Sequence, residues 1–333
     1  MKVVVTGGTG SFGRAFTRYC QQERDDVTRL ISLSRDEVKA DEIGLEFASY
    51  PEFRAYLGDV RDVDRLCQAF RGSDVVIHAA ALKRVNAHTD GGELIKTNTV
   101  GTVNVVNACL ASGVKRLVFI SSDKAVEPMN QYGKTKASAE GFVVGANAYD
   151  QDFKSCVVRY GNVLGSRGSV IQLWKEALQS GQQVTLTDER MTRFWMRLRD
   201  AVMLVWTAID NMQGGEIFIP RIGAAPVKSL LGAVHGLLGE KNTAPKPIIS
   251  GIRAGGEKLH EKLVSTEEIS RTLIHRNHDV LMVAPPQPTW TRSKWMMGDA
   301  APDAFTYCSN DAFHQLTCDE LRELVIQAES DGY

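Results

Sequence analysis

The first half of the 333-residue chain alternates short apolar runs with stretches in which apolar positions recur every three to four residues. That pattern predicts β-α-β units around a parallel sheet. "KVVVTG" (2–7), "RLISLS" (29–34), "FRAYLGD" (53–59), "DVVIHAAA" (74–81) and "KRLVFISS" (115–122) read as five strands. Residues 11–22 read as a helix, and so do 93–111, where Leu94, Ile95, Val100, Val103, Val106 and Leu110 share one face. A further helix is predicted over 132–149 and a further strand over 154–163. Beyond Gly165 the period loosens. Helices are expected at 170–181, 226–238 and 317–329 and a strand at 216–220, while 274–294, with "PPQP" at 285–288, has no clear repeat. The prediction is an α/β fold: a doubly wound parallel sheet from residues 1–165, with later segments contributing, and a smaller α/β domain mainly from 166–333.

"TGGTGSFG" (6–13) lies between the first strand and the first helix, where a dinucleotide fold places its phosphate-binding turn. Gly7, Gly10 and Gly13 have the G-x-x-G-x-x-G spacing that lets backbone N–H groups approach a pyrophosphate, with Thr9, Ser11 and Phe12 completing the turn. The first half is therefore expected to be a Rossmann-type domain. An NAD site usually has an acidic residue at the end of the second strand, but here Ser34 and Arg35 come first, with Lys39 a turn later. A guanidinium fork suits a 2′-phosphate, so NADP is favoured, and Asp36 leaves NAD as the second reading. Asp59 and Val60 are placed at the adenine by position, and Ala79 and Ala80 at the ribose.

Composition narrows the class without adding chemistry. With 39 basic and 40 acidic side chains, the chain has no excess charge to draw nucleic acid or an anionic membrane. The six cysteines are scattered without a C-x-x-C pair, so no disulfide framework or zinc site is expected. His275-x-x-His278 lacks further ligands, and no metal is expected. The N-terminus enters a strand almost at once and no apolar run is long enough to span a bilayer, so the cytoplasm is the expected location.

The chemistry concentrates in "SSDKAVEPMNQYGKTK" (121–136). Tyr132 and Lys136 have the Tyr-x-x-x-Lys spacing in which a lysine one helical turn on, with a nicotinamide cation, brings a phenol with an ordinary pKa near ~10 into range as a base. Ser122, at the end of the fifth strand, can bond the substrate oxygen being oxidised. Asp123 and Lys124 follow it at the sheet edge where ligands of open α/β folds bind. Oxidation alone does not need them.

Through these residues the sequence resembles the extended short-chain dehydrogenase/reductases, and within them the UDP-N-acetylglucosamine 4,6-dehydratases that invert C5, of the type that opens pseudaminic acid synthesis. "SRDE", "GDVRD", "HAAALK", "KTN", "SSDKA", "YGKTK", "VVRYGNVLGSRGSV", "MTRFW", "GGEIFIP" and "GEKLHE" match in order. "RAGGEK" (253–258), "NAHTDGGE" (86–93) and Ser122 in place of Thr depart from the usual pattern and bear on substrate preference. The resemblance implies an NADP-dependent hydro-lyase whose tightly bound cofactor is recycled in each turnover. Tyr132 and Lys136 would oxidise the sugar at C4, and Lys124 and Asp123, in their less usual protonation states, would remove the C5 proton and protonate the departing 6-hydroxyl. Lys83 is implied near the sugar, Asn162 near the diphosphate, and Arg193, Arg253 and Glu257 near the nucleotide. A UDP-sugar substrate and a homo-oligomer, dimeric or higher, are implied as well. His260 and the tryptophans Trp174, Trp195 and Trp206 read as packing residues. The rival readings are a UDP-sugar 4-epimerase, which needs no second acid/base pair, a C5-retaining dehydratase, and a catalytically silent NADP-binding regulator.

Overall fold

The computed structural model describes residues 1–83, 90–165, 170–238, 246–252, 256–275, 279–287, 298–302 and 305–331. The predicted strands appear with trimmed ends: β1 Lys2–Thr6, β2 Arg29–Ser34, β3 Phe53–Leu57, β4 Val75–His78, β5 Arg116–Ile120 and β6 Lys154–Val158. The strand expected over 154–163 is broken after Val158, and its tail becomes the short β7 Asn162–Val163. Gly161 marks the break, because a Cβ there would lie 2.5 Å from Phe194 Cβ. Then follow β8 Thr185–Leu186, β9 Thr192–Met196, β10 Ile217–Pro220, β11 Ala224–Pro226, β12 Ile248–Ile249, β13 Thr272–His275, β14 Val280–Val283 and β15 Gly298–Ala300. Two strands thus emerge in and beside the region that lacked periodicity, where runs of four residues are too short to show a repeat.

Ten strands form one sheet in the order β15-β13-β14-β10-β6-β5-β4-β1-β2-β3. Every pairing from β3 across to β10 is parallel, and β14, β13 and β15 close the far edge antiparallel. The strand order reverses between β1 and β4, which opens the crevice at their carboxyl ends. Helices α1 Ser11–Glu23, α2 Glu37–Glu46, α3 Val63–Phe70, α4 Gly91–Leu94, α5 Gly101–Ser112, α6 Gln131–Gly145, α7 Val170–Gln179, α8 Leu198–Asn211, α9 Val227–Leu237 and α10 Cys318–Ser330 complete the chain. Apolar layers fill both faces of the sheet, one under α1 and α8, the other under α3, α5 and α6. A third cluster, with Trp174 and Trp195, joins α7, α9 and α10. Trp206 packs on Phe16 at 5.2 Å, so all three tryptophans are core residues.

The helix predicted over 93–111 contains a π-helical turn, Ile95–Val100. That turn brings Asn98 inward, where its amide bonds both Leu82 backbone groups, at 2.8 and 3.0 Å, and Thr135 Oγ1 of α6. His78, fully buried at the end of β4, bridges Thr6 and Thr102, and burial pushes its pKa down to about 3. It is a neutral strut between the crevice floor and α5.

Arg159, just after β6, fastens the C-terminal half to this sheet. Its guanidinium bonds Glu140 of α6 and Glu268 bidentately and also reaches Leu263 O. Such a cluster is worth most when whole, because removing one partner strands buried charge. Arg159→Met leaves two carboxylates without their cation and should lower unfolding stability by about 3–5 kcal/mol in urea titrations. A triple apolar replacement of Arg159, Glu140 and Glu268 should recover most of that loss.

Candidate active site

Sterics hold the glycine turn against the sheet. Gly7 has φ +71°, and a Cβ there would meet the Ala80 backbone at 2.8 Å, while one on Gly13 would lie 2.2 Å from Gly8 O. Gly10 caps α1 without any side-chain bond, so the first-turn N–H groups carry no side-chain cap. Both observations fit a pyrophosphate approached closely by backbone. A cavity of about 120 Å³ beside the turn is lined by Gly7, Ser34, Arg35, Asp59, Val60 and Ala80 among others. Thr9 bonds Ser34 at 2.8 Å and so ties the turn to the end of β2. Asp36 caps α2 through Lys39 N and pairs with Lys39 Nζ at 2.6 Å, so the two charges engage each other. Arg35 is half-exposed, 4.0 Å from Asp59, which Arg61 already holds.

The adjoining cavity, about 250 Å³, brings together Ser11, Phe12, Ala79, Lys83, Ser122, Asp123, Lys124, Tyr132, Lys136, Tyr160 and Asn162. Three local features build it. The chain leaving β5 is held by Ser121 N on Val158 O and Asp123 N on Tyr160 O, then tightens into a 3-10 turn, Asp123–Ala125. Asn130 caps α6 through Gly133 N and reaches Gly256 O, which fixes where Tyr132 enters. Gly133 lets α6 lie against the turn, since a Cβ there would be 2.2 Å from Lys124 O. Within the turn, Ser122 Oγ donates to Asp123 Oδ1 at 2.7 Å and Lys124 Nζ donates to Asp123 Oδ2 at 2.8 Å.

Of the three lysines of this cavity, Lys124 and Lys136 are in opposite electrostatic states. Burial, reinforced by Lys83, pushes Lys136 down to about 7, and its Nζ donates to Ile120 O at 2.5 Å. Burial opposes charge on Lys124 too, but Asp123 and Glu261, the latter 3.0 Å away, outweigh it and hold Lys124 above an ordinary lysine. Lys124 therefore rests as an ammonium. Burial and then Asp123 push Tyr132 up, with its bond to Ser122 acting the other way. The side chains alone leave Tyr132 protonated, so lowering it to a useful base takes a further positive charge.

Among the residues expected around the substrate, Lys83 and Asn162 line the cavity, and burial lowers the pKa of Lys83. Asn162 Oδ1 accepts no hydrogen bond among the described residues. Arg193 is buried: it bonds the carbonyls of Thr192 and Leu259, and its Nε lies 3.9 Å from Glu261. Glu257 lines a smaller cavity on the far side of Lys124. Arg253 and His278 lie outside the described residues. His260 bonds Thr192 at 2.9 Å, a packing role. Asn98, Tyr160 and Glu261 escaped the reading of the sequence, although "KTN", "YGNV" and "GEKLHE" carried them.

The profile of the family described as polysaccharide biosynthesis protein matches residues 3–283. The chain belongs to that family. It is 38% identical, over 98% of both chains, to a protein of Campylobacter jejuni named UDP-N-acetylglucosamine 4,6-dehydratase (inverting). It is 37% identical, over 81% of this chain and 79% of the other, to a protein of Rickettsia akari named UDP-glucose 4-epimerase. The solved structure of Pen from Bacillus thuringiensis superposes with a TM-score of 0.88 at 31% identity, covering 98% of each chain. More distant structures, under 25% identical, share the fold and were solved with NAD bound. Among the described residues, no helix is long and apolar enough to cross a membrane.

The depressed Lys136 carries a stability signature. With a folded pKa near 7 against 10.5 for an ordinary lysine, the unfolded chain binds more protons between those values, so stability rises with pH across that window. In cofactor-free protein, Lys136→Met should be more stable than the parent at pH 6, with the gap closing by pH 10. Urea unfolding at both pH values measures it.

Proposed function

We propose that this family member is an NADP-dependent UDP-N-acetylglucosamine 4,6-dehydratase that inverts C5. The observation that carries the reading is the Asp123–Lys124 ion pair in the same cavity as Tyr132 and Lys136. When bound, the nicotinamide supplies hydride acceptance from C4 and later hydride return to C6, so it is regenerated within the turnover. Tyr132 takes the proton of the 4-hydroxyl, aided by the positive charge that the side chains lack. The new 4-keto group acidifies the C5 proton. One proton passing from Lys124 to Asp123 along their 2.8 Å bond puts both groups in the states that elimination needs. Removal of water by the sugar favours that neutral pair. Lys124 then removes the C5 proton, Asp123 protonates the departing 6-hydroxyl, and reprotonation of C5 from the opposite face gives UDP-2-acetamido-2,6-dideoxy-β-L-arabino-hex-4-ulose.

Lys83 and Asn162 are proposed at the sugar and diphosphate, and Glu257 near the nucleotide. The 2′-phosphate is assigned to Ser34 and Arg35, which is supported by the engagement of Asp36 as a helix cap. A cytoplasmic homo-oligomer acting at the start of pseudaminic acid synthesis completes the reading. The similarity to proteins named as 4-epimerases keeps one alternative in play, but an epimerase has no use for an acid/base pair at C5 and C6.

Product NMR in deuterated water decides: a 6-deoxy-4-keto sugar with deuterium at C5 and the L-arabino configuration is expected, whereas UDP-GalNAc alone would sink the reading. Lys124→Ala should keep its cofactor yet lose dehydration about 100-fold or more. Arg35→Ala should weaken NADP binding about 10-fold to 100-fold while leaving NAD within about twofold. Equal losses for both cofactors would remove the 2′-phosphate assignment.

A further inference from the structure

Glu261 comes from a turn more than a hundred residues beyond Lys124, yet it is 1% exposed and sits against the reactive pair. Its Oε1 is 3.0 Å from Lys124 Nζ and 3.9 Å from Arg193 Nε. Its Oε2 accepts no hydrogen bond among the described residues, and Lys258 Nζ is 3.7 Å away. A buried carboxylate with a purely structural role has both oxygens bonded. Here the close contact is with Lys124 alone, and Glu261 also lines a cavity of about 30 Å³, with room for one water, between Lys124, Asn130, Glu257 and Lys258.

The segment that carries Glu261 is pinned to the catalytic loop. Lys258 Nζ donates to Val126 O, Lys262 pairs with Glu127 at 2.8 Å, and Gly256 O accepts from Asn130. Glu127 is held at φ +46°, the left-handed region that side chains avoid. Three contacts thus hold the segment that places Glu261 beside Lys124.

We propose that Glu261 is a positioning residue of the elimination machinery: it holds Lys124 between two carboxylates as an ammonium in the resting enzyme and confines the neutral, basic amine to the substrate-bound state. The proposal rests on the dehydratase reading for its purpose, though not for its measurement. The charges that bear on Lys124 are Asp123 from its own turn, Glu261, and Arg193 from β9, which acts in the opposite sense. Those bearing on Glu261 are Lys124, Asp123, Arg193 and Lys258, and Lys258 also faces Glu127. Burial raises Glu261, while the Lys124 and Asp123 directions follow from opposite and like charge respectively.

The test is competitive acylation of the purified holoenzyme with acetic anhydride across pH 8 to 11, followed by mass spectrometry of the peptide that carries Lys124. In Glu261→Gln the labelling midpoint of Lys124 should fall by about 1–3 pH units, and the alkaline limb of the dehydration profile should move the same way. Glu261→Asp should restore much of the parental midpoint. NADPH absorbance after C4 oxidation in a single turnover should be unchanged in both variants. An unchanged Lys124 midpoint in Glu261→Gln overturns the proposal. So does an equal loss in both variants that follows their melting temperatures, since that marks a structural role. If the parent enzyme yields only an epimer, the dehydratase reading fails, and the labelling midpoint still reports separately whether Glu261 controls Lys124.

Discussion

A charge taken out of water must be paired, and the catalytic half of this molecule is arranged around one such charge, the Lys124 ammonium. Asp123 holds it from the same turn and Glu261 from the C-terminal half, with Arg193 close behind. Meeting that requirement brings three segments distant in sequence onto the carboxyl edge of β5. The Arg159 cluster does the same one layer away, linking β6, α6 and Glu268. Between them these two buried clusters fasten the later chain to the Rossmann sheet.

The same cavity contains two lysines that burial treats alike and that neighbours treat differently. Lys136 faces Lys83 and a backbone carbonyl and loses basicity, whereas Lys124 faces two carboxylates and keeps its proton. Pushing like groups apart is how one site can run acid and base steps at a single pH. On the proposed reading, Tyr132 and Lys136 remove an alcohol proton and the Asp123–Lys124 pair acts in a later step on a weaker carbon acid. Gly133 permits both, because it lets the helix carrying the first pair touch the turn carrying the second.

Much of this was legible in the sequence where the signal is local. The glycine turn, the strands through β6 and the Ser122–Lys136 stretch depend on spacing within a few residues, and each appears where that spacing put it. Helix α8 was missed although Val202, Val205, Trp206 and Ile209 are all buried and recur at the spacing of one helix face. Strand β14 was missed because its four residues are all buried and show no alternation, and β13 because four residues are too few to show a period. The burial of Arg193 was out of reach for a different reason. An arginine beside an aromatic pair looks available for phosphate, and only the fold reveals Glu261 near it. Protonation states were least legible, since they depend on how many carboxylates meet Lys124 rather than on which residue precedes it.

The contact between residue 124 and residue 261 also bears on inheritance and redesign. A Ser-Asp-Lys stretch transplanted into another oxidoreductase of this fold would bring the lysine and leave its second counter-ion behind. The recipient would gain an amine with a different proton affinity and a cation-lined hollow beneath it. The unit that recombination or a designer has to move is therefore discontinuous: a loop after the fifth strand together with a turn near the far end of the chain.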